Sequence, residues 1–175
     1  MKKIMTLLLS LSLLTACGWH LRGDLNLPSD LQSLYIDNQS QGNVTEAELN
    51  RLIAANDVTV TENRADAQYT ITLSNERYER RTISVTSGGE ASEYELTYEV
   101  DYSITNAEDL ILVPKSTAQV IRSYSYDRDN VIAKNEEEEL IRQEMKPQLA
   151  SQILNRLRFL SAAPVSAPEA TQDNQ

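Results

Sequence analysis

The chain of 175 residues contains one cysteine and one histidine, Cys17 and His20. A lone cysteine excludes an internal disulfide, and a lone histidine leaves a metal centre or a histidine-based catalytic pair without its usual members. No G-x-S-x-G elbow is present, so the corresponding serine chemistry lacks its motif. Positive charge is scarce as well: 16 basic side chains face 26 acidic ones, a net charge of -10. That balance argues against nucleic acid and against bulk attraction to anionic headgroups, so a polyanionic ligand needs a local basic patch. A long apolar run is missing too. The longest, Ile4 to Leu14, rises about 16 Å as a helix against a hydrocarbon core of roughly 30 Å. These absences point away from an enzyme and away from a metal protein, and no resident cofactor is expected.

What is present begins with an export signal. Lys2 and Lys3 form a positive start, and Ile4 to Leu14 is apolar apart from Thr6, Ser10 and Ser12. Leu14 is too bulky for an ordinary A-x-A cleavage site, whereas Leu14-Thr15-Ala16-Cys17 resembles the bacterial lipobox. That resemblance implies cleavage between Ala16 and Cys17, an S-diacylglycerol on the Cys17 thiol and an acyl group on the new amine. The alternative is a free or buried thiol, a liability in an oxidising compartment. Each buried methylene contributes about 0.8 kcal/mol, so several acyl chains make a nearly permanent anchor. Gly18, in place of Asp, resembles the outer-membrane class of enterobacterial lipoproteins. Removing residues 1–16 takes away Lys2 and Lys3 and no acid, so the net charge moves from -10 to -12.

Gly18 to Gln32 shows no sustained period and reads as a tether of up to about 50 Å. Trp19 in this stretch suits either a headgroup-level position or packing on the domain. Ser33 to Asp37 predicts a short strand. Thr45 and Glu48 have capping-box spacing ahead of a helix with Val44, Leu49, Leu52 and Ile53 on one face and Asn56 as its stop. Val58 to Val60 predicts a short strand or a turn.

From Ala67 the period becomes two. Tyr69, Ile71 and Leu73 alternate with polar residues, a polar middle carries Arg77, Arg80 and Arg81, and Ser87-Gly88-Gly89-Glu90 is a turn. Tyr94, Leu96, Tyr98, Val100, Tyr102 and Ile104 then alternate without a miss, so one face is buried and the other wet. The two arms form an unusually long hairpin. Leu110 to Tyr126 supplies a further strand in which Pro114 marks an edge, a bulge or an interruption. The tyrosines serve either cross-strand packing or an aromatic ligand platform.

Val131 to Leu160 predicts a long helix with a stripe through Leu140, Ile141, Met145, Leu149, Ile153, Leu157 and Leu160. Glu136 to Glu139 near its start and Arg156 and Arg158 near its end suit the dipole, and Pro147 is expected to kink or restart it. The glutamate run reads as a solvated first turn or, alternatively, a calcium site.

The expected fold is α+β, a two-layer sandwich with two helices on one face of a mixed, mostly antiparallel four-stranded sheet with one long hairpin. The expected organisation is a signal over 1–16, anchor and tether over 17–32, a single domain over 33–160 and an unfolded tail over 161–175.

Several segments together resemble the LptE (RlpB) family of lipopolysaccharide-assembly lipoproteins: residues 14–22, Ser84-Val85, Glu93-Tyr94, 113–116, 120–124, 133–136, Leu140-Ile141 and Glu144-Met145. The resemblance implies a noncatalytic outer-membrane lipoprotein that sits in the lumen of the β-barrel LptD, aids its assembly, plugs it and takes part in delivering lipopolysaccharide to the outer leaflet. It further implies lipopolysaccharide contacts through basic residues at the hairpin tip and at the start of the last helix. Lys134 matches the second position. Ser87 occupies the first and carries no charge, so Arg80 and Arg81 are the candidates to replace it; the alternative is that Arg77, Arg80 and Arg81 pair across the strand with Glu95, Glu99 or Asp101. The competing function is a free-standing periplasmic lipid-binding lipoprotein with an enclosed apolar cavity between helices and sheet.

Overall fold

The computed structural model describes residues 27–28 and 31–162. The export signal, the Ala16–Cys17 junction, Trp19, His20, most of the tether and nearly all of the tail lie outside the described residues.

Five strands and two helices follow in the order β1 (Ser33–Asn38), α1 (Val44–Ala54), β2 (Thr59–Val60), β3 (Tyr69–Val85), β4 (Ala91–Asn106), β5 (Ile111–Ser125) and α2 (Val131–Ala162). They form one sheet in the order β2-β1-β3-β4-β5, parallel at β2-β1 and β1-β3 and antiparallel from β3 onward. The sheet therefore has five strands where four were expected. The additional one is the pair Thr59–Val60, which lines up with Ser33 and Leu34 once buried Val58 brings the chain back beneath α1.

Both helices cover one face of the sheet. Leu34, Leu49, Ile53, Ile71, Leu73, Ile104, Met145, Leu149, Ile153 and Leu154 are fully buried between the layers. On β4 the buried residues are Leu96, Tyr98, Val100, Tyr102 and Ile104, as its alternation predicts. The β3 arm needs a correction to keep step. Asn75 adopts a left-handed φ of 53°, and the register with β4 slips by one between Ser74 and Arg77. The extra residue switches the inward-facing set from Tyr69, Ile71 and Leu73 to Glu76, Tyr78 and Arg80. A polar stretch thus becomes part of the helix-facing surface.

The capping box does not form. Helix α1 begins at Val44, Thr45 is buried inside its first turn, and its backbone N–H donates to Glu76 Oε1 at 3.1 Å. The carboxylate from β3 supplies the acceptor that an N-cap side chain would have provided, while Glu48 pairs with Arg51. Asn56 does mark the stop: its Nδ2 donates to the Leu52 carbonyl at 2.8 Å, and Asp57 follows in a left-handed conformation.

Helix α2 starts at Val131, as its sequence predicts, with Glu136 to Glu139 just beyond its first turn and Arg158 near its end, although the last turn itself carries no basic residue. It continues through Pro147 without restarting. Leu140 is 62% exposed, because the stripe is in contact with the sheet only from Ile141 and Met145 onward.

Truncating Leu149, which has no exposed surface, to alanine is expected to cost about 2–5 kcal/mol, and Leu140→Ala under about 0.5 kcal/mol, in urea unfolding of the same protein.

Candidate functional site

The hairpin outruns β1. Strand β1 pairs with β3 only as far as Leu73, and β3 runs on to Val85, about 40 Å further at roughly 3.3 Å per residue. Strand β5 ends beside Glu93, so α2 starts at this distal end and runs back toward the base, where β1 begins. The hairpin tip and the first turns of α2 therefore share one apex, remote from the side on which an anchor would be attached.

Aromatic and charged groups hold the apex together. Glu138 of α2 accepts hydrogen bonds from Tyr124 Oη at 2.6 Å, Arg80 Nη1 at 2.8 Å and Tyr78 Oη at 3.1 Å. Arg80 stacks over the Tyr94 ring at 4.8 Å and Arg142 over Tyr78 at 5.0 Å. Tyr94 packs edge-on to Tyr126 at 5.0 Å, and Tyr78 edge-on to Tyr98 at 5.8 Å. These tyrosines pack between strands and helix, as the cross-strand alternative holds. Glu138 is accordingly a structural acceptor rather than part of a solvated turn.

Electrostatics agree with the geometry. Burial pushes the Glu138 carboxyl up, but Tyr124, Arg80 and Tyr78 together outweigh it and leave it below its usual value. Burial and the Glu138 charge push Tyr78 up to about 12 and raise Tyr124 further. The hydrogen bond to Glu138 raises Arg80.

The three candidate cations are not brought together. Arg80 and Arg81 point to opposite faces, as neighbours on a strand must. Arg80 is bound by Glu138, and Arg81 pairs with Glu95 at 2.8 Å on the outer face. Cross-strand pairing thus holds for Arg81, and for Arg77 with Glu99, while Arg80 turns to the helix instead. Lys134 sits one turn before Glu138, half-buried, with its Nζ 2.8 Å from Glu137 Oε2 and 3.4 Å from Ser125 Oγ.

Ser87 lies in the tip, which closes through Thr86 N–H to the Glu90 carbonyl at 2.7 Å and turns at Gly89 with a φ of 80°. The cation that does reach the tip is Arg128, from the link between β5 and α2, in an ion pair with Glu90. A cleft of about 390 Å³ opens there between Thr86, Glu90, Tyr126 and Arg128. Sequence reasoning missed Arg128, because nothing in an irregular link signals that it folds back onto a turn some forty residues earlier.

The outer sheet face is polar and cross-linked. Asp101 accepts from Asn75 at 2.9 Å and Thr117 at 2.7 Å and pairs with Lys115 at 3.1 Å, and Gln119 donates to Glu99 at 3.1 Å. Hydrogen bonds from Asn75 and Thr117, with help from Lys115, hold the Asp101 carboxyl at about 2. Among the described residues no cluster of three or more His, Cys, Asp or Glu is placed to hold a metal ion.

Two outcomes follow from these carboxylates. Asp101 and Glu138 both titrate below their unfolded values, so each contributes stability that is present above the unfolded value and lost as pH falls through the folded one. Asp101→Asn is therefore expected to flatten the acid limb of the stability profile between pH 3.8 and about 2. Glu138→Ala is expected to cost about 1–3 kcal/mol at pH 7 by urea unfolding, with hydrogen exchange rising first in residues 131–144.

The chain is 29% identical over 157 residues to the LPS-assembly lipoprotein LptE of Photorhabdus laumondii, covering 89% of this chain and 85% of that one. It is 27% identical over 180 residues to the protein of the same name from Yersinia pestis, covering 98% and 83%. In fold it is similar to lipoprotein B from Nitrosomonas europaea, with a TM-score of 0.71 at 24% identity over 83% of this chain and 94% of that one. The rare lipoprotein B of Shewanella oneidensis gives a TM-score of 0.65 at 23% identity over 75% and 97%. The family model for LptE, described as lipopolysaccharide-assembly, matches residues 31–157. The chain is a member of the LptE family of lipopolysaccharide-assembly lipoproteins.

Proposed function

We propose that the mature chain is a noncatalytic outer-membrane lipoprotein, held by an S-diacylglycerol and N-acyl group on Cys17, that forms a heterodimer with the β-barrel LptD. It acts there as plug and assembly factor while lipopolysaccharide passes to the outer leaflet. The observation that carries this reading is the separation between base and apex. The chain enters the domain at the base, beside β1, while Lys134 and the tip lie about 40 Å beyond the last residue that β1 covers. An anchor in the inner leaflet would therefore hold one end and leave the apex to reach along a pore. The polar, ion-paired outer sheet face suits a polar barrel lumen.

The space between helices and sheet is filled by leucine, isoleucine and methionine side chains, which weighs against the lipid-carrier alternative, since a carrier needs that volume for its cargo. No described helix is long and apolar enough to cross a membrane, so attachment falls to the acyl chains or to a partner.

Lipopolysaccharide phosphates are proposed to meet Lys134, with Arg128 at the tip in place of the charge that Ser87 lacks. Arg80 and Arg81 contribute only if their carboxylate partners release them. Lys134→Glu is expected to weaken lipopolysaccharide binding by the purified chain at least about tenfold, the equivalent of one charge-assisted contact, with unchanged unfolding. Unchanged binding would remove Lys134 from the site. A tagged chain drawn from detergent-solubilised envelope is expected to bring one large heat-modifiable barrel with it at equal stoichiometry, and its absence would refute the complex.

A further inference from the structure

Strand β5 is the outer strand of the sheet over 15 residues, and no described strand pairs with its outer side. Such an edge offers a row of backbone N–H and C=O groups to any extended chain. In an antiparallel strand these groups point outward from every second residue. Gln119 is one of them, and both of its groups are occupied by a side chain: its N–H donates to Gln152 Oε1 at 3.3 Å, and its carbonyl accepts from Gln152 Nε2 at 3.0 Å. One side-chain amide of α2 thus makes the two bonds that a residue of a sixth strand would make. At the next outward residue, the Ile121 carbonyl accepts from Arg122 Nη1 at 2.9 Å, and Arg122 Nη2 donates to Gln148. Gln148 and Gln152 stand one helical turn apart, so the same face of α2 closes two consecutive outward positions.

We propose that the β5 edge is a strand-pairing surface for a second copy of this chain, and that Gln152, supported by Gln148 and Arg122, holds it shut in the monomer. Side-chain register favours a second copy as the occupant. Two antiparallel β5 strands centred on Gln119 place Lys115 opposite Ser123, Ser116 opposite Arg122 and Thr117 opposite Ile121. No like charges face one another, and β5 has no acid to conflict with the acidic bulk of the chain. The pairing is isologous and closes on itself, as a two-fold dimer requires. The clasp is independent of the assembly role: it keeps a long edge from joining other copies of the chain.

The test is self-association of the full chain in density-matched detergent by sedimentation velocity, with amide exchange at Gln119 read in parallel. The wild-type chain is expected to be monomeric with Gln119 protected. Q148A/Q152A is expected to self-associate at least about tenfold more tightly. Adding Ser123→Pro, which removes an outward N–H without touching the β4 ladder, is expected to restore the monomer. A Q148A/Q152A chain that associates no more than wild type overturns the proposal. So does a dimer that persists with Ser123→Pro, because the contact would then lie elsewhere.

Discussion

Beyond Glu76, which still meets the start of α1, the helix-facing side of the hairpin is covered by α2, and a carboxylate holds that cover in place. Glu138 gathers Tyr124, Tyr78 and Arg80 from β5 and β3 onto one turn of α2, where the base of the molecule relies on aliphatic packing. A partly buried charge with three donors is worth keeping only when all three are present, because losing one leaves the others facing an incompletely paired group. The apex is therefore held together by polar contacts. Its position relative to the base is set by a long alternating strand, β4, whose buried face is continuous from Leu96 to Ile104.

This construction explains why a chain with so few basic side chains can still present charge at one end. Four arginines of the hairpin and of the link to α2 are bound to neighbouring acids: Arg77 to Glu99, Arg81 to Glu95, Arg80 to Glu138 and Arg128 to Glu90. Exposed pairs of this kind contribute little to stability. Their effect is to hold cations at defined places on an acidic body, where a phosphate that binds must displace a carboxylate. Lys134 is held the same way by Glu137, one turn from the Glu138 hub, so the candidate binding cation and the structural acceptor ride on the same rigid segment.

Much of the fold was legible because periodicity is a local property. The six alternating residues of β4 gave its face, and Leu49 with Ile53 gave the buried side of α1. What local pattern could not show was long-range pairing. The bulge at Asn75 that reverses which side of β3 faces inward depends on a register with β4, and Glu76 reaching the start of α1 depends on that reversal. Arg80 and Arg81 looked equivalent in sequence, yet alternation and the bulge send one to the helix and the other to the open face. Arg128 carried no signal at all, since it reaches the tip only after β5 and its turn are in place.

In the proposed function the apex, and not the base, meets lipopolysaccharide. A photoactivatable residue placed singly at Ser87, Lys134 or Leu110 of the full chain in intact envelopes tests it most directly, with adducts detected by antibody to lipopolysaccharide. Adducts from Ser87 and Lys134 and none from Leu110 are predicted. Adducts from Leu110 alone, or from none of the three while transport proceeds, would contradict the account.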